Sequence, residues 1–395
     1  MADSKKLRIL LVAGARPNFV KIAPLMDRLR DAENAARAET LLVHTGQHYD
    51  EAMSRLFFDQ LGIPRPDVNL EVGSGKHGKQ TGQIMMSFEP VVEEWKPDMV
   101  LVVGDVNSTI ACAMVAVKLG VKVAHVEAGL RSFDRSMPEE INRVLTDQIS
   151  DWLFVSEASG VQNLMLEGIS PSQVHLVGNV MIDSLKKFLS VARNSAALWQ
   201  YHLVPKGQPN SPPAPFVLVT LHRPSNVDDP EKLRSLLEVL NQVGEQIAVL
   251  FPAHPRTRDR IEKSGLAGFV HTEWTYDQLA QEKGVYMCPP IGYLEFLHLM
   301  SEASFVMTDS GGIQEETTAL GLPCLTLREN TERPSTLIVG TNTLVGTDPA
   351  RILSEARQIL AGLSKKGTFP ELWDGKASDR IVNILLGTNP PPSAT

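Results

Sequence analysis

Several kinds of segment that mark a special environment are missing from this 395-residue sequence. No apolar run reaches the ~18 residues needed to cross a membrane, and no leader with an apolar stretch and a cleavage site marks a secretory signal. No basic tract stands out, and the net charge is −8, which argues against a nucleic-acid partner. We therefore expect a soluble protein of the cytoplasm that binds neither membranes nor nucleic acids.

Cysteine is scarce as well. Cys112, Cys288 and Cys324 are scattered and lie in apolar stretches, which is typical of unpaired structural cysteines in a reducing compartment. The histidines lack the spacing of a metal-binding set, and there is no cluster of cysteine and histidine. The sequence therefore predicts no disulfide framework, no metal and no cofactor.

Apolar strands alternate with helical patterns along most of the chain, which predicts parallel sheets covered by helices on both faces. The chain is longer than one core usually serves, and the stretch KGQPNSPPAP (206–215) interrupts the rhythm. We predict an α/β protein with two Rossmann-like domains. The predicted boundaries, in chain order, are an N-terminal domain at 1–190, a linker at 191–215, a C-terminal domain at 216–372, a helix at 373–388 that packs back on the N-terminal domain, and a disordered tail at 389–395.

Charged and polar residues collect where the predicted strands end. Parallel sheets place their ligand sites at the carboxyl ends of the strands. Side chains from both domains are therefore expected to face one cleft. The strand-end residues are Arg16, Gln47, His48, Asp105, Glu127, His222, Arg223, His254, Asp309 and Ser310.

The segment GSGKHGKQ (73–80) partly matches two nucleotide-binding motifs. The P-loop pattern fails because Gln80 stands where a Ser or Thr would hold magnesium. The dinucleotide pattern needs an acid at the end of the next strand, but Glu93 and Glu94 lie in a helical pattern. We interpret the segment as a mobile surface loop.

A second glycine-rich segment is more informative. In TDSGGIQEE, a strand ends at Ser310-Gly311-Gly312 and a helix follows at once, ending at Gly321. Glycines let the backbone approach a ligand, and the free N–H groups of a helix start bind phosphate. The alternative is a plain N-cap by Asp309 or Ser310. Glu316, which we expect in the first turn, has the chemistry to accept hydrogen bonds from a ribose diol, or it serves only to complement the helix dipole.

Cations accompany this segment. Arg16 and Lys21 flank the start of a helix predicted from about Pro17 to Leu29, where positive charge opposes the helix dipole unless an anion is bound. Solvated charges are the alternative. With His222-Arg223 and His254 at strand ends of the second half, these residues predict an electropositive site for a nucleoside diphosphate.

Two further residues are candidates for the nucleotide. Phe296 has the chemistry to stack on a base, although a core aromatic is the common reading of its spacing. Arg333 follows the loop RENTERP and is expected to reach a phosphate.

The first half supplies carboxylates instead. Asp105 and Glu127 each end an apolar strand, and Glu139 opens a helix in SMPEEINR. Asp105 would be structural if it capped the following helix, and Glu139 if it closed a capping box with Ser136. Glu127 has no evident structural role in the sequence. Carboxylates that face a phosphate site indicate general acid–base chemistry on a sugar.

Ten motifs occur in a characteristic order between about residues 7 and 385: GARPNFVKIAPL, GQHYD, GDVNSTIA, HVEAGLRS, PEEINR, VGN, LHR, PAHPRT, TDSGGIQEE and TERP. This set resembles the non-hydrolysing UDP-N-acetylglucosamine 2-epimerases. The resemblance implies the two-domain glycosyltransferase-B architecture, a homodimer, and UDP bound between the domains. It also implies a reaction in which UDP leaves C1, a carboxylate removes the C2 proton to give a bound glycal, and the proton and UDP then return.

The resemblance assigns residue roles in this sequence. Asp105, Glu127 and Glu139 carry the chemistry, with Glu127 and Glu139 as proton-transfer groups. We add His222 as a further catalytic candidate. The residues implied to hold UDP are Arg16, Lys21, His222, Phe296, Ser310, Gly311, Gly312, Glu316 and Arg333. Arg223 and His254 are further candidates for the same ligand because they stand at cationic strand ends.

The sequence also departs from the family pattern. Many members have Glu where Asn18 stands, and many have Arg where Tyr49 stands. These departures weigh against activation by a second substrate molecule and point to a branch that acts on modified UDP-sugars, such as a 2,3-diacetamido sugar acid. A hydrolysing 2-epimerase, a glycosyltransferase of the same fold and a non-catalytic UDP-sugar sensor are the other readings.

Overall fold

The computed structural model describes residues 5–46 and 62–387. Three features predicted from sequence lie outside these residues: the motif residues 47–50, a helix from about 49 to 61, and the tail at 389–395.

The strands are short, and each pairs in parallel with its neighbours. In chain order they are β1 (Leu7–Ala13), β2 (Ala38–His44), β3 (Val68–Asn69), β4 (Met99–Val103), β5 (Lys122–Ala128), β6 (Trp152–Val155), β7 (Val174–Leu176), β8 (Phe216–Thr220), β9 (Ala248–Pro252), β10 (Val285–Cys288), β11 (Phe305–Thr308), β12 (Cys324–Thr326) and β13 (Asn342–Leu344).

The helices connect these strands. In chain order they are α1 (Arg16–Arg30), α2 (Ala32–Ala35), α3 (His77–Trp95), α4 (Asn107–Lys118), α5 (Pro138–Ile149), α6 (Ala158–Leu166), α7 (Val180–Ala192), α8 (Ala197–Gln200), α9 (Pro224–Val227), α10 (Pro230–Gly244), α11 (Pro255–Lys263), α12 (Tyr293–Glu302), α13 (Gly311–Leu320), α14 (Pro334–Ile338), α15 (Pro349–Leu360) and α16 (Ala377–Leu386). Single turns of 3-10 helix occur at Pro171–Gln173 and Ala267–Phe269, and a π-helical turn at Gln278–Glu282. Within the described ranges, no helix combines the length and the apolar character needed to cross a bilayer.

The chain divides into two compact units, residues 1–186 with 371–395, and residues 187–370. The first contains a seven-stranded sheet of order β3-β2-β1-β4-β5-β6-β7, and the second a six-stranded sheet of order β10-β9-β8-β11-β12-β13. Residues 191–215, predicted as a linker, belong to the second unit. Helix α16 belongs to the first, where it packs on α1 and Asp379 Oδ1 lies 2.6 Å from Arg28 Nε.

Both sheets have the strand order of a doubly wound Rossmann fold, which confirms the predicted class. In each, the order reverses between the first and fourth strands of its unit, β1 and β4 in one and β8 and β11 in the other. Such a reversal opens a crevice at the carboxyl ends of the strands. Arg16 and Asp105 follow the two strands at the first reversal point, and His222 and Asp309 follow the two strands at the second.

The cores explain why these segments form strands and helices. Residues 9–13 of β1 are all buried, as a strand covered on both faces requires. Helix α10 begins at the N-cap Asp229, whose side chain accepts a hydrogen bond from Glu231 N at 3.0 Å. It buries Leu233, Leu237 and Leu240 at helical spacing, and each such burial contributes about 1.5–3 kcal/mol.

Three strands have no counterpart in the sequence prediction: β3, β10 and β13. Strands β3 and β10 are edge strands of their sheets, and β13 is the opposite edge of the second sheet. Strand β10 has four residues and is followed by two prolines. Its apolar pattern is present in the sequence but short.

Candidate functional site

The turn that follows β1 is tied to β4 by Asn18. Its side-chain oxygen accepts hydrogen bonds from Gly14 N (3.0 Å) and Ala15 N (2.9 Å), while its amide nitrogen donates to Val103 O (3.1 Å). An amide can accept and donate at once, which a glutamate in its ionised form cannot. This turn begins α1, whose first residue is Arg16.

Lys21, one turn further along α1, forms a buried ion pair with Glu127. Nζ of Lys21 contacts Oε2 of Glu127, and the two residues are only 6% and 5% exposed. The sequence interpretation expected Lys21 to need a bound anion. The structure shows instead that a carboxylate of the same unit lies against its ammonium group. Because burying two charges costs more free energy than an exposed pair would, such a pair is a candidate functional feature.

Glu127 is held by an irregularity in β5. Its φ angle is 72°, in the left-handed region, and the register with β6 shifts between Val126 and Ala128. A bulge of this kind turns a side chain away from its regular direction. A non-glycine residue in such a conformation costs about 1–3 kcal/mol and is common at active sites. The strained position thus supports the prediction that Glu127 is functional.

A buried charge network flanks Glu127 on both sides. Nδ1 of His125 lies 2.6 Å from Asp147 Oδ1, and His125 Nε2 lies 2.8 Å from Gly104 O. Asp147 Oδ2 accepts hydrogen bonds from Gly129 N (3.0 Å) and Arg131 Nη2 (2.7 Å). Burial alone would raise the pKa of Asp147, but the positive charges of His125 and Arg131 outweigh it and lower that pKa.

Sequence reasoning missed this network. The only signal was a histidine inside an apolar strand, and its partner Asp147 lies on another element. Through Gly104 and Gly129 the network braces the backbone beside Asp105 and Glu127.

Asp105 is clamped by arginine. Arg143 donates to Asp105 Oδ2 through Nε (3.0 Å) and Nη2 (2.7 Å), and its Nη1 donates to Glu140 Oε2 (2.6 Å). Glu140 in turn accepts hydrogen bonds from Ser132 N (2.9 Å) and Phe133 N (2.8 Å). Glu140 therefore braces the loop before α5, which separates its role from that of its neighbour Glu139.

The capping alternatives for these carboxylates are not realised. Helix α4 has Val106 as its N-cap and α5 has Met137, and neither receives a side-chain cap hydrogen bond from a described residue. The predicted capping box of Ser136 and Glu139 is therefore wrong. Ser136 bonds to Asp134 instead.

Asp105 and Glu139 share a cavity of about 260 Å³ in the first unit. The segment GSGKHGKQ forms one of its walls, and its residues 77–80 are the first turn of α3, so the prediction of a loop over 73–80 is wrong for that half. Asn107 donates to Gln80 Oε1 (2.9 Å) and lies 3.1 Å from His77 Nδ1. The lining residues are Ser74, Gly75, His77, Gln80, Asp105, Val106, Asn107, Pro138, Glu139 and Asn142.

In the second unit, Asp309 organises the turn after β8. Its carboxylate accepts hydrogen bonds from His222 N (3.0 Å), Arg223 N (2.9 Å) and Asn226 Nδ2 (3.2 Å), and lies 2.9 Å from His222 Nδ1. Burial would raise the pKa of Asp309, but the hydrogen bond and charge of His222 outweigh it and lower that pKa. The alternative that Asp309 merely caps α13 is therefore wrong.

A cavity of about 190 Å³ brings four of the predicted nucleotide-binding residues together: His222, His254, Phe296 and Ser310. His254 also has a structural role, because its Nδ1 accepts a hydrogen bond from Arg256 N (3.2 Å) at the start of α11. The remaining lining residues are Thr220, Leu221, Pro252, Pro290, Ile291 and Ile313.

The start of α13 combines two glycines with a buried arginine, Arg333. Ser310 is the N-cap, and no side chain in the described ranges caps this helix. A Cβ at Gly311 would lie 2.6 Å from Arg333 Nη1, so the glycine makes room for that guanidinium. Arg333 is buried against Glu332, and its Nε lies 2.9 Å from Glu315 Oε1. Gly312 is the second residue of the helix.

Glu316 does not lie in the first turn as predicted. Helix α13 begins at Gly311 and has no acid in its first turn, and Glu316 is its sixth residue. Burial raises the pKa of Glu316 to about 7, an effect that the hydrogen bond donated by Tyr293 Oη (3.0 Å) opposes. This carboxylate is therefore poised between its two protonation states near neutral pH.

The two sites differ in chemistry. The first unit offers carboxylates next to cationic partners, which suits proton transfer. The second offers backbone donors at a helix start and cationic strand ends, which suits an anionic ligand. Across residues 5–46 and 62–387, no group of three or more His, Cys, Asp and Glu side chains has the arrangement of a metal site.

The sequence model of a known family matches residues 30–386, and its description is UDP-N-acetylglucosamine 2-epimerase. The chain belongs to this family. It is therefore an isomerase, as the order of motifs predicted.

Two relatives have the same percentage of sequence identity to this chain, but their names give different substrates. A UDP-N-acetylglucosamine 2-epimerase of Methanococcus maripaludis is 40% identical over 386 residues, which cover 97% of this chain and 100% of the relative. A UDP-2,3-diacetamido-2,3-dideoxy-D-glucuronate 2-epimerase of Pseudomonas aeruginosa is 40% identical over 382 residues, which cover 96% of this chain and 99% of the relative.

A solved structure shares the fold of this epimerase. The crystal structure of the Methanocaldococcus jannaschii UDP-GlcNAc 2-epimerase in complex with UDP-GlcNAc and UDP has a TM-score of 0.83 and 40% sequence identity, and the match covers 96% of this chain and 99% of that one. The two Rossmann-like sheets thus agree with the glycosyltransferase-B class that the resemblance implied.

Proposed function

We propose that this epimerase reversibly inverts C2 of UDP-N-acetylglucosamine, giving UDP-N-acetylmannosamine without net hydrolysis. The observation that carries the proposal is the buried Lys21–Glu127 pair, with Glu127 held in a left-handed conformation near the reversal point of the first sheet. A strained, buried carboxylate is costly to keep unless chemistry requires it. The family membership and the UDP-GlcNAc bound to the jannaschii relative supply the substrate class.

The C2 hydrogen has no adjacent carbonyl, so direct proton removal is too difficult. The C1–O bond breaks first, and its electron pair leaves with the β-phosphate oxygen of UDP. The positive charge that develops at C1 acidifies C2–H, and a carboxylate takes this proton while the C–H electron pair forms the C1=C2 double bond of a glycal. A proton then returns to the opposite face of C2, and the UDP oxygen re-adds to C1.

Glu127 and Glu139 are our proton-transfer groups, and Asp105 supports the sugar or the proton transfer. Lys21 contacts and orients Glu127, and Arg143 does the same for Asp105. These assignments combine general acid–base catalysis with fixed geometry.

The leaving diphosphate needs stabilisation where its charge develops. We assign that task to His222, to the hydroxyl of Ser310 and to the N–H groups of Gly311 and Gly312, since preorganised donors stabilise developing charge most. Phe296 is our candidate for the base and Glu316 for the ribose. The remaining UDP contacts in the proposal are Arg16, Lys21, Arg223, His254 and Arg333.

Proton NMR in deuterated water tests the reaction. With UDP-N-acetylglucosamine, the C2 proton signal should disappear as UDP-N-acetylmannosamine forms, and free UDP should not accumulate. Accumulation of UDP with free N-acetylmannosamine would select the hydrolysing 2-epimerase instead. A protein that binds UDP tightly but exchanges no C2 proton from this sugar would refute the proposed substrate.

A modified UDP-sugar is the second candidate. The Pseudomonas relative named for UDP-2,3-diacetamido-2,3-dideoxy-D-glucuronate is as similar to this chain as the first Methanococcus relative, at 40% identity each. The same deuterium-exchange experiment with that sugar nucleotide separates the two. The true substrate is the one with the higher kcat/KM for loss of the C2 proton signal.

We also propose that the protein is a homodimer, as the family resemblance implies. Helices α3, α4 and α5 pack side by side, and α3 and α5 expose Met86 (68%), Ile141 (43%) and Leu145 (46%). Apolar side chains so exposed are candidates for a subunit interface. Light scattering should give a dimer mass of about twice the 43.4 kDa chain, and Ile141→Glu should lower it. A monomer at all concentrations would refute the proposal.

A further inference from the structure

One hydrogen bond in the second unit joins two helices beside the predicted nucleotide site. Tyr293 is the first residue of α12 and is 9% exposed, and Glu316 lies on α13 and is 4% exposed. The tyrosine Oη lies 3.0 Å from Glu316 Oε1, and a phenol donates to a carboxylate in such a pair. The bond thus fixes one oxygen of a buried carboxylate.

The pair stands next to the cavity of the second unit. Phe296 and Ile313 line that cavity. Each is three residues from a member of the pair, Phe296 from Tyr293 on α12 and Ile313 from Glu316 on α13. Residues three apart on a helix lie on the same face. The Tyr293–Glu316 bond is therefore one helical turn from the cavity wall on both helices.

We propose that Tyr293 is a positioning residue that orients the Glu316 carboxylate toward the 2′,3′-diol of a ribose, so that this unit selects ribonucleoside diphosphates over their deoxy forms. The inference rests on the proposed function, because it takes UDP as the ligand and Glu316 as its ribose contact. A carboxylate with one oxygen held by a fixed donor keeps its second oxygen in a defined direction. A cis diol supplies two donors and benefits most from that fixed geometry.

The tyrosine is suited to this task because it stays a donor. Burial raises the pKa of Tyr293 well above its usual value, and the charge of Glu316 raises it further. Its ring also packs edge-on against Phe188, with the ring centroids 6.4 Å apart. The hydroxyl is thus fixed in place, and it donates across the working pH range.

A comparison of two ligands isolates the contribution of the ribose diol to the binding affinity. UDP and 2′,3′-dideoxyuridine 5′-diphosphate carry the same base and diphosphate and differ only in the diol. We would measure the dissociation constants of both by calorimetry for the full-length wild type, for Tyr293→Phe and for Tyr286→Phe. Tyr286 is the matched control, because its buried hydroxyl donates to a backbone carbonyl, that of Lys283 (2.5 Å), in the same unit.

The wild type should bind UDP more tightly than the dideoxy ligand. Tyr293→Phe should weaken UDP binding by roughly tenfold, since it removes one hydrogen bond to a charged group. The same variant should leave the affinity for the dideoxy ligand unchanged. Tyr286→Phe should change neither affinity.

A pH series gives a second readout that a loss of packing would not move. Tyr293 is the titratable side chain whose hydrogen bond acts on Glu316 in the described structure, and the neighbouring Glu315 is paired with Arg333. Since the diol favours the ionised carboxylate, the ratio of the two wild-type affinities should fall below about pH 7, the pKa of Glu316. In Tyr293→Phe the fall should begin at higher pH, because the donor that favours ionisation is gone.

Several outcomes would overturn the inference. Equal losses for both ligands in Tyr293→Phe would show a general effect on the site, and no loss for either would show that the bond is only structural. Glu316→Gln provides a check that does not need the tyrosine variant to fold, because it should abolish the preference for UDP over the dideoxy ligand. If the wild type binds neither ligand, the proposed function fails rather than this inference.

Discussion

The two units have the same order of strands around their reversal points, yet different side chains stand at the ends of those strands. In the first unit, two strand-end carboxylates each meet a cation: Glu127 contacts Lys21, and Asp105 is bonded by Arg143. In the second, one buried carboxylate, Asp309, collects donors from the neighbouring turn while the helix start beside it keeps its N–H groups without a described side-chain cap. We therefore propose that one topology supports acid–base chemistry in one unit and anion binding in the other, because the side chains at the strand ends decide the chemistry.

The largest effect should come from the carboxylate of the first unit. Glu127→Gln should lower kcat by about 10²–10⁴-fold, the range for loss of a general acid or base, while the dissociation constant for UDP changes little. Deuterium exchange at C2 and calorimetry measure the two quantities. Asp134→Asn is the control, since Asp134 bonds within its own loop to Ser136. Turnover within tenfold of the wild type would remove Glu127 from the reaction.

Removal of one partner of the Lys21–Glu127 ion pair should lower the free energy of unfolding. Lys21→Met leaves the Glu127 carboxylate buried without its cation, and breaking a buried pair from one side costs about 3–5 kcal/mol of unfolding free energy. Urea denaturation measures this loss. The double variant Lys21→Met/Glu127→Gln should regain part of it, because no unpaired charge remains. Equal stability of the single and double variants would contradict a direct interaction.

Asp309, a buried carboxylate of the second unit, should affect the binding of UDP rather than turnover. Asp309→Asn weakens the acceptor that holds the turn at His222 and Arg223, so the dissociation constant for UDP should rise by roughly tenfold. Asp229→Asn is the matched control, because that aspartate caps α10 in the same unit. If both variants weaken UDP binding equally, the turn at His222 is not the cause.

The smallest effect that we predict is a difference in stability caused by one backbone angle, the φ angle of Glu127. At Glu127, where φ is 72°, a glycine variant should be more stable than an alanine variant by about 1–2 kcal/mol, the cost of a left-handed conformation for a residue with a Cβ. At the exposed Glu238 inside α10, the order should reverse, with alanine better by about 1 kcal/mol. Thermal denaturation of the four variants measures both differences. The same order at both positions would contradict the strained conformation.

Much of the fold was accessible from the sequence because it depends on local patterns. Apolar strands followed by amphipathic helices indicated two Rossmann-like halves, and the glycine at position 321 ends α13 with φ at 70° as expected. Edge strands such as β3 and β10 were missed, since two to four residues carry little periodic signal. The helical half of GSGKHGKQ was missed as well, because its glycines and lysines resemble a loop until the cavity beside Asp105 is seen.

The sequence by itself determined which side chains stand at the strand ends, because a strand and the loop that follows it are set by a few neighbouring residues. It did not determine the partners of those side chains. Glu127 meets Lys21, Asp309 meets His222, and Tyr293 meets Glu316 only because strand order and helix packing bring distant segments together. Hydrogen bonds and ion pairs act over a few ångströms, so the tertiary structure alone decided which carboxylates are braced, which are paired, and which stay poised for a ligand.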